Sequence, residues 1–298
     1  MKYFCTLSDK NYLRQGLALY KSISENCDDF ILEYLCLDIE SETILKDINL
    51  ENINVVNVNE LFEKDSQLKE LKKSDYKKWC WTLASYYTNF LLKNTKHEYV
   101  IYIDSDIIFY NNVDYLFDEI KDKSTGIIRH RHIPLDGESP DGKFNVGIVY
   151  FKNDKMGKEI CNWWSDSVIN EKYPEYATCY DQKYLEGFIE IYGEENVSII
   201  DNVCHGSPWH WRLYDYSKYK ETKKIIWEGR EEILLFNHFS RFGYDLRNKT
   251  MDYTNGNYPD HTLSFSVFEI EAVKDFYQDY FNRLFWVEMN WIKGSLGE

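Results

Sequence analysis

The sequence predicts a doubly wound α/β fold, in which a mostly parallel, mixed sheet is followed by a helical C-terminal extension. Strand-like and helix-like segments alternate over residues 2–58 in the order β-α-β-α-β, which is typical of parallel sheets. A short run of apolar, β-branched and aromatic residues over 99–103 then indicates a buried strand, and it ends in Asp104-Ser105-Asp106. Because ligands of such sheets bind at the carboxyl ends of strands, we expect the functional site at this point.

The other elements follow from apolar periodicity and turn residues. Residues 2–7 predict the first strand, and the polar residues 8–11 predict the cap of a helix that begins near Tyr12. Residues 61–78 are highly charged and are expected to form helix or loop. Further strands are predicted at 30–38, 54–58, 144–151, 197–201 and 233–236. Further helices are predicted at 44–50, 79–92, 158–170 and 267–292.

The composition describes an acidic chain that is rich in aromatic residues. Of its 298 residues, 44% are hydrophobic and 17% aromatic, which is enough for one large α/β domain or two small ones. No repeat or linker interrupts the pattern, so we expect one continuous domain over residues 1–260 and an aromatic-rich helical extension over 261–298. The net charge of −15 disfavours a nucleic-acid partner and simple adsorption to anionic lipid.

Cysteine usage and the N-terminal residues favour a cytoplasmic protein. The seven cysteines are odd in number and form no C-x-x-C pair, which is typical of reduced thiols. Residues 1–9 lack the apolar region of a signal peptide. No apolar segment is long enough to predict a transmembrane helix.

Asp104 and Asp106 carry the first functional hypothesis. Two carboxylates at the end of a buried strand are costly unless something compensates their charge. A divalent cation does so, because Mg²⁺ and Mn²⁺ take oxygen ligands and are often shared with the phosphates of a substrate. The alternative is that the aspartates cap the next turn, and the tripeptide alone favours this alternative.

An ordered set of motifs resembles a known family. The D-S-D tripeptide is followed by F-N-V-G-I-V-Y-F at residues 144–151, by D-Q-K-Y-L at 181–185 and by L-L-F-N-H-F at 234–239. This order is similar to that of GT-A-fold glycosyltransferases, and within them to the retaining group related to glycogenin and the bacterial galactosyltransferases. Each motif alone is weak, whereas the ordered set is specific.

The resemblance covers the chain from about residue 3 to about residue 245. It implies a GT-A fold, which is a Rossmann-like architecture with two halves in one domain. Residues 1–110 would form the nucleotide-binding half, and residues 111–260 would form the half that binds the donor sugar and the acceptor.

The resemblance also implies a metal site. In the resembled family the two aspartates of the D-x-D motif hold Mn²⁺ or Mg²⁺, which bridges the two phosphates of a nucleotide sugar. Asp104, Asp106 and His238 match those ligands, and Ser105 would contact the donor. A nitrogen ligand suits Mn²⁺ better than Mg²⁺. The alternative for His238 is a hydrogen-bonded core histidine.

Four residues near the N-terminus match the family's nucleotide-contacting turn, which follows the first strand. They are Thr6, Asp9, Asn11 and Tyr12. The ring of Tyr12 would stack on the base. The alternative is an ordinary helix N-cap at residue 8 or 9.

Two further pairs match the part of the family that surrounds the donor sugar. Asn145 and Gly147 match the strand that approaches the sugar, while Asp181 and Gln182 match the D-Q pair that faces the anomeric carbon. We therefore take Asp181 and Gln182 as the catalytic candidates. The alternatives are that Gly147 admits a packed ring and that the D-Q pair caps a helix.

The chain departs from the family's pattern in two places. Glycogenin-like members continue H-x-x-G-x-x-K-P-W after the metal histidine, and Lys-Pro-Trp is absent here, which leaves Arg241 as the candidate for gripping phosphate. An arginine that helps to bind the donor is also absent near residues 81–86. Lys77 and Lys78 are its candidate substitutes.

The acceptor side is predicted from composition alone. Trp209, Trp211 and His205 belong to a loop whose indole faces suit sugar rings, with a packed structural loop as the alternative. The basic run 129–132 suits an acceptor phosphate or carboxylate, with a solvated strand edge as the alternative. The apolar band of 272–292 leaves contact with a membrane surface or a partner open, with packing on the domain as the commoner outcome.

Taken with the resemblance, these residues imply a metal-dependent glycosyltransferase. It would move a sugar from a nucleoside-diphosphate donor, UDP-linked in our prediction, to a hydroxyl of a glycan, lipid-linked glycan or protein, with retention of configuration. One alternative is a phosphotransferase or phosphatase with Asp104 as nucleophile, although that use of D-x-D follows a first strand. The other is a non-catalytic carbohydrate-binding protein on a decayed transferase fold. The oligomeric state is left open.

Overall fold

The structure confirms an α/β fold built on a central mixed sheet. The computed structural model describes residues 1–131, 141–201, 204–207, 210, 213–240, 242–252 and 271–292. The strands are β1 (Lys2–Ser8), β2 (Phe30–Cys36), β3 (Ile53–Asn57), β4 (Tyr99–Ile103), β5 (Ile107–Phe109), β6 (Thr125–Arg129), β7 (Phe144–Lys152), β8 (Val197–Ile200), β9 (Cys204–Gly206), β10 (Tyr214–Asp215), β11 (Lys224–Trp227), β12 (Arg230–His238), β13 (Gly243–Asp245) and β14 (Thr250–Asp252). The helices are α1 (Leu13–Asn26), α2 (Ile39–Ile48), α3 (Asn59–Phe62), α4 (Ser66–Ser74), α5 (Tyr76–Asn94), α6 (Asp114–Ile120), α7 (Lys155–Ile169), α8 (Leu185–Tyr192), α9 (Tyr219–Thr222) and α10 (Glu271–Val287).

The central sheet has the strand order β3-β2-β1-β4-β7-β6-β8. Strand β1 pairs in parallel with β2 and β4, and β2 pairs in parallel with β3. Strand β7 runs antiparallel between β4 and β6, and β8 is parallel to β6. Ile103 pairs with Ile148, so the first residues of β7 extend past the end of β4. The reversal therefore places Asn145 and Gly147 beside the D-S-D turn.

A second sheet brings the segment that ends at His238 back to the same turn. Its strands follow the order β10-β11-β12-β5, and β9 pairs with β12. Strand β5 begins directly after the D-S-D tripeptide and pairs antiparallel with β12, with His238 opposite Ile107. This long-range pairing positions His238 next to Asp106.

Three predicted helix starts, those of α2, α5 and α7, are wrong by three to five residues, because side-chain caps extend the helices beyond the apolar pattern. The side chain of Asp38 accepts a hydrogen bond from the backbone N of Ser41 at 2.7 Å, so α2 begins at Ile39 and not at residue 44. Asp75 caps α5 in the same way, and that helix begins at Tyr76.

Strand β12 is also longer than predicted. It begins at Arg230, three residues before the apolar run, because it forms a hairpin with β11. The hairpin turns through Glu228 and Gly229, which both have positive φ angles, of 49° and 76°. Polar residues at the start of β12 are therefore held by strand pairing and not by burial.

Two apolar cores cover the faces of the central sheet. One contains residues of α1, α2 and α10, among them Leu17 and Tyr280, which are buried. The other contains residues of α5, α7 and α8, among them Trp79, Tyr87 and Trp164, which are also buried. The sheet between them has few exposed positions except at its ends, where the polar site lies.

The predicted C-terminal helix is present as α10. Phe276, Tyr280 and Leu284 on one face of it are buried in the same core as α1. Beyond α10, Glu288 accepts an ion-paired hydrogen bond from Arg14 Nε of α1 at 2.6 Å. No helix among the residues that the structure describes is long and apolar enough to cross a membrane.

Candidate active site

The D-S-D tripeptide forms a tight turn that three strands anchor. The backbone N of Asp104 donates to Gly147 O of β7 at 2.9 Å, and Ile107 N donates to Asp104 O at 3.2 Å, which closes the turn. The backbone O of Asp106 accepts from Phe239 N, just after β12, at 2.9 Å. The turn is thus fixed to β7 on one side and to β12 on the other.

Asp104, Asp106 and His238 converge on one small volume. Each offers one ligand atom, and these atoms all lie within 4.8 Å of one another. His238 Nε2 is 3.1 Å from Asp106 Oδ1 and 3.6 Å from Asp104 Oδ2. The side chains of Asp104, Asp106 and His238 are 24%, 13% and 9% exposed. Two carboxylate oxygens and one imidazole nitrogen at the inner end of an open cleft fit a divalent cation of the Mn²⁺ or Mg²⁺ class.

The electrostatics of the three side chains support that fit. Burial raises the pKa of Asp104, and the charge of Asp106 raises it further, while His238 opposes the shift. Burial alone would lower the pKa of His238, but the carboxylates of Asp106 and Asp104 raise it overall. The two carboxylates therefore favour a positive charge beside them, which a bound cation or a protonated His238 would supply.

Neighbouring side chains set the orientation of the ligands. The hydroxyl of Tyr102 donates to Asp104 Oδ1 at 2.7 Å. Asn145 Oδ1 accepts from Gly147 N at 2.9 Å and lies 3.3 Å from His238 Nδ1. Because an amide oxygen only accepts, Nδ1 of His238 carries a hydrogen, and in the neutral imidazole the lone pair is then on Nε2, which faces the aspartates.

Gln182 is held at both ends of its amide. Its Oε1 accepts from Asn145 Nδ2 at 3.0 Å and from Val146 N at 3.3 Å. Its Nε2 donates to Asp141 O at 2.7 Å. The amide is therefore fixed to the wall of the cleft, in contact with the residue that orients His238.

Asp181 places a third carboxylate near the cluster. The residue is only 3% exposed, although it lines the cleft, and its backbone O accepts from the indole of Trp164 at 3.0 Å. Burial raises the pKa of Asp181 well above its ordinary value, and the charge of Asp104 adds to the shift. A cation near Asp104 would relieve part of that repulsion.

The turn before α1 is organised by Asp9. Its Oδ1 accepts from the backbone N of Asn11 at 2.9 Å and of Tyr12 at 3.2 Å. Its Oδ2 accepts from Asn11 Nδ2 at 3.0 Å and from the Tyr76 hydroxyl at 3.1 Å. The helix itself has no side-chain cap, so Asp9 orders the turn ahead of the helix and leaves the Tyr12 ring at the cleft.

These groups line one open cleft of about 590 Å³. It contains the three metal-ligand candidates together with Ser105, Asn145 and the Asp181-Gln182 pair. Asp9 and Tyr12 also line the cleft, but Thr6 and Asn11 do not; Thr6 is fully buried within β1. Gly147 lies behind Asn145, and a Cβ there would meet Asn145 Oδ1 at 2.7 Å and His238 Nδ1 at 3.0 Å.

Of the residues predicted for the acceptor and for phosphate, His205 is described by the structure, and it does not line this cleft. His205 is buried, its Nε2 is 2.8 Å from Arg129 O, and its ring stacks on Phe236. Trp209, Trp211 and Arg241 lie outside the described residues.

The basic run 129–132 is divided between different environments. Arg129 Nε pairs with Asp201 at 2.7 Å, and Arg131 is buried against Trp227. His130 is the member of the run that lines the cleft, while His132 lies outside the described residues.

The cleft also contains aromatic residues that sequence reasoning did not single out. Trp81 of α5 and Tyr180, which precedes the D-Q pair, are in contact, with their ring centroids 3.4 Å apart and their planes tilted by 32°. Lys77 lines the cleft with its Nζ 4.7 Å from the centroid of the Trp81 ring, whereas Lys78 is paired with Glu171. The available signal was that Trp81 lies two residues from the buried Leu83, and therefore on another side of the helix.

Comparisons with known proteins agree with the geometry. The profile of the family described as "Glycosyl transferase family 8" matches residues 5–232. Two uncharacterized proteins of Bacillus subtilis (strain 168) are similar in sequence: YfnF is 28% identical over 254 residues, which cover 80% of this chain and 81% of YfnF. YfnD is 27% identical over 251 residues, which cover 80% of this chain and 78% of YfnD.

Two solved glycosyltransferases share the architecture. The galactosyltransferase LgtC, solved in complex with donor and acceptor sugar analogs, has a TM-score of 0.53 at 15% identity over 80% of this chain and 86% of LgtC. Mouse xyloside xylosyltransferase 1, solved in its apo form, has a TM-score of 0.50 at 16% identity over 80% of this chain and 97% of that one. At such identities the likeness shows the fold alone, and it confirms the predicted GT-A architecture.

Proposed function

Because the chain belongs to glycosyl transferase family 8 and is a glycosyltransferase, we propose that it moves a sugar from a UDP-linked donor to an acceptor hydroxyl, with a divalent cation and with retention of configuration. The observation that carries the proposal is the convergence of Asp104, Asp106 and His238 in a cleft that Tyr12 also lines. Family membership argues against the phosphotransferase and the non-catalytic protein that the sequence left open.

Asp104, Asp106 and His238 would hold the cation, and Mn²⁺ is favoured over Mg²⁺ because one of the three ligands is nitrogen. A bound cation would neutralise the negative charge that develops on the departing diphosphate. Ser105, between the two aspartates, lines the cleft and is assigned to the donor.

Tyr12 is assigned to the nucleoside, because its ring lines the cleft next to the metal cluster. Asp9 is assigned an ordering role, since both of its carboxylate oxygens already accept hydrogen bonds from the turn and from Tyr76. Lys77 is the cleft-lining cation that we assign in place of the family's donor-binding arginine.

Asp181 and Gln182 are assigned to the face of the sugar that carries the reaction. The fixed Gln182 amide shapes the wall, and Asp181 brings a carboxylate to the cleft without exposing it to bulk water. Retention is proposed from the likeness to the retaining group, whose D-Q pair these residues match.

We further assign residues 1–110 to the nucleotide half, 111–260 to the sugar and acceptor half, and 261–298 to the helical extension. The acceptor would be a glycan, a lipid-linked glycan or a protein. A cytoplasmic location is proposed because the cysteines with described side chains, six in number, are all free thiols.

The test combines binding and turnover. Thermal shift would be measured with UDP, GDP, CMP and dTDP and their sugars, each with and without Mn²⁺, followed by assay of UDP release from the UDP-sugars. We expect stabilisation that needs both UDP and Mn²⁺, and UDP release that EDTA abolishes.

Matched variants separate the site from general effects of charge loss. The double variant D104A/D106A should lose the joint stabilisation and UDP release, while D118A, which removes an exposed aspartate of α6, should keep both. Full activity of D104A/D106A, or UDP release that is indifferent to EDTA, would reject the proposed mechanism.

A further inference from the structure

The contacting rings of Trp81 and Tyr180 lie at the cleft but have no role in the donor and metal assignments above. Trp81 belongs to α5, and Tyr180 follows the short 3₁₀ turn Ala177–Cys179. Their ring centroids are 3.4 Å apart and the planes differ by 32°. The stack therefore joins the two walls of the cleft, one from each half of the domain.

Tyr180 remains accessible although Trp81 covers part of it. It is 49% exposed, whereas the next residue, Asp181, is 3% exposed. Two adjacent residues thus place an exposed ring directly before a buried carboxylate of the candidate catalytic pair. A ligand that contacts the Tyr180 ring would lie directly beside that pair.

The backbone of Tyr180 is unusual. Its φ and ψ angles are 44° and −118°, in a region that residues with a Cβ rarely adopt. Such strain persists where the surroundings impose it, and it is often found at functional sites. Here it turns the ring outward at the point where the carboxylate of Asp181 turns inward.

The surroundings suit a sugar ring. Aromatic faces provide flat apolar surfaces for the C–H groups of a pyranose, and polar groups beside them can bind its hydroxyls. Asp141 lines the same cleft and supplies a carboxylate. A nucleotide base is less suitable here, because the metal cluster and Tyr12 already define the nucleotide end.

We infer that Tyr180, backed by Trp81, is the platform on which a pyranose ring of the acceptor stacks during transfer. This inference rests on the proposed function, because it needs a donor sugar beside Asp181. It replaces none of the assigned metal or donor residues. It also moves the acceptor site away from His205, which the structure buries outside the cleft.

The experiment measures acceptor and donor binding separately. Saturation-transfer NMR would report the contact of simple methyl glycosides (glucoside, galactoside and N-acetylglucosaminide) with the protein, in the presence of UDP and Mn²⁺. UDP affinity would be measured on the same samples by calorimetry, and stimulation of UDP release by the same glycosides would give the half-saturating acceptor concentration.

Y180G is the principal variant. Glycine adopts positive φ without strain, so this change removes the ring without forcing the backbone, and its Tm should not fall. Compared with the wild type, Y180G should bind the glycosides about tenfold more weakly and UDP with unchanged affinity. A tenfold loss corresponds to roughly 1.4 kcal/mol of lost stacking. W81A should act in the same direction, and Y180F should restore glycoside binding.

The control is Y115A, which removes a tyrosine of α6 that is 44% exposed and does not line the cleft. Y115A should change neither affinity. Unchanged glycoside binding in Y180G, an equal loss of UDP and glycoside affinity, or the absence of any glycoside contact in the wild-type protein would each overturn the platform. Failure of the proposed function would be distinct, since UDP and Mn²⁺ would then not bind jointly to the wild type.

Discussion

Replacing Asp104 with asparagine tests two effects of its negative charge separately: the effect on the stability of the metal-free fold and the effect on cation binding. The substitution keeps the size of the side chain, and its amide oxygen can still accept the Tyr102 hydroxyl that now donates to Oδ1 at 2.7 Å. It removes the negative charge of a carboxyl group whose pKa is raised by burial and by the nearby charge of Asp106. The folded state without metal therefore loses a charge that its surroundings disfavour.

The size of the effect follows from the distances in the cluster. At an effective dielectric constant of about 20, the attraction between Asp104 and a protonated His238 at 3.6 Å is about 4.6 kcal/mol. The repulsion between Asp104 and Asp106, whose ligand atoms lie within 4.8 Å, is at least about 3.5 kcal/mol. The two nearly cancel, and the cost of burying the carboxylate opposes what remains. We expect D104N to change the metal-free unfolding free energy by no more than about 1 kcal/mol.

The metal-bound state should respond very differently. Mn²⁺ at a hundred times its dissociation constant stabilises a folded protein by about 2.7 kcal/mol, which is a Tm increase on the order of 5 °C for a chain of this size. D104N should lose that increase, while D118N should keep it. The assay is thermal unfolding with EDTA and with Mn²⁺ at several concentrations. The reasoning is refuted if D104N unfolds far more easily than the wild type in EDTA, or if Mn²⁺ still raises its Tm.

Three further predictions concern the residues around the cluster. The pKa of His238 is raised from 6.5, so its proton stabilises the metal-free fold at pH values below 6.5, and this contribution is lost as the pH rises through the raised pKa. Because a metal ligand must be deprotonated, Mn²⁺ affinity should increase by up to about tenfold per pH unit over that interval. Calorimetry that finds no pH dependence of Mn²⁺ affinity would contradict the role of His238. N145A removes the acceptor for His238 Nδ1 and the donor to Gln182, so it should weaken Mn²⁺ binding about 10- to 100-fold in the same titrations. Wild-type Mn²⁺ affinity in N145A would show that Asn145 orients neither His238 nor Gln182. G147A would place a Cβ 2.7 Å from Asn145 Oδ1 and 3.2 Å from Ile107 Cδ1. It should therefore lower the free energy of unfolding in urea by about 1–3 kcal/mol and weaken Mn²⁺ binding. An unchanged urea midpoint would refute the close packing.

Sequence reasoning singled out the three residues of the candidate metal site because the signal for each residue is local. Asp104 and Asp106 follow a strand whose apolar run is unmistakable, and His238 follows another. What the residues could not supply is the pairing of β5 with β12, which depends on contacts between segments far apart in the chain. The resemblance to a family supplied that step, since it linked the late histidine to the D-x-D motif.

The aromatic stack was missed for a related physical reason. Helical periodicity predicts a buried stripe on α5, and along it Leu83, Tyr87 and Leu91 are buried while Tyr86 and Phe90 are half-buried. It does not predict which exposed residue meets a partner across a cleft. Trp81 and Tyr180 are 99 residues apart in the sequence, and the positive φ angle of Tyr180 is not encoded by its residue type.

The side chain of Asn145 contacts both His238 of the candidate metal site and Gln182 of the candidate catalytic pair. These contacts restrict how Asn145 can bind a donor sugar. Its Oδ1 has two lone pairs, and Gly147 N and His238 Nδ1 occupy them. Its Nδ2 has two hydrogens, of which one binds Gln182 Oε1. Asn145 can therefore contact the donor without losing these bonds only by donating its remaining hydrogen to a sugar oxygen. A sugar hydroxyl that donated to Oδ1 would have to displace either Gly147 N or His238 Nδ1, and in the second case the orientation of a candidate metal ligand would be lost.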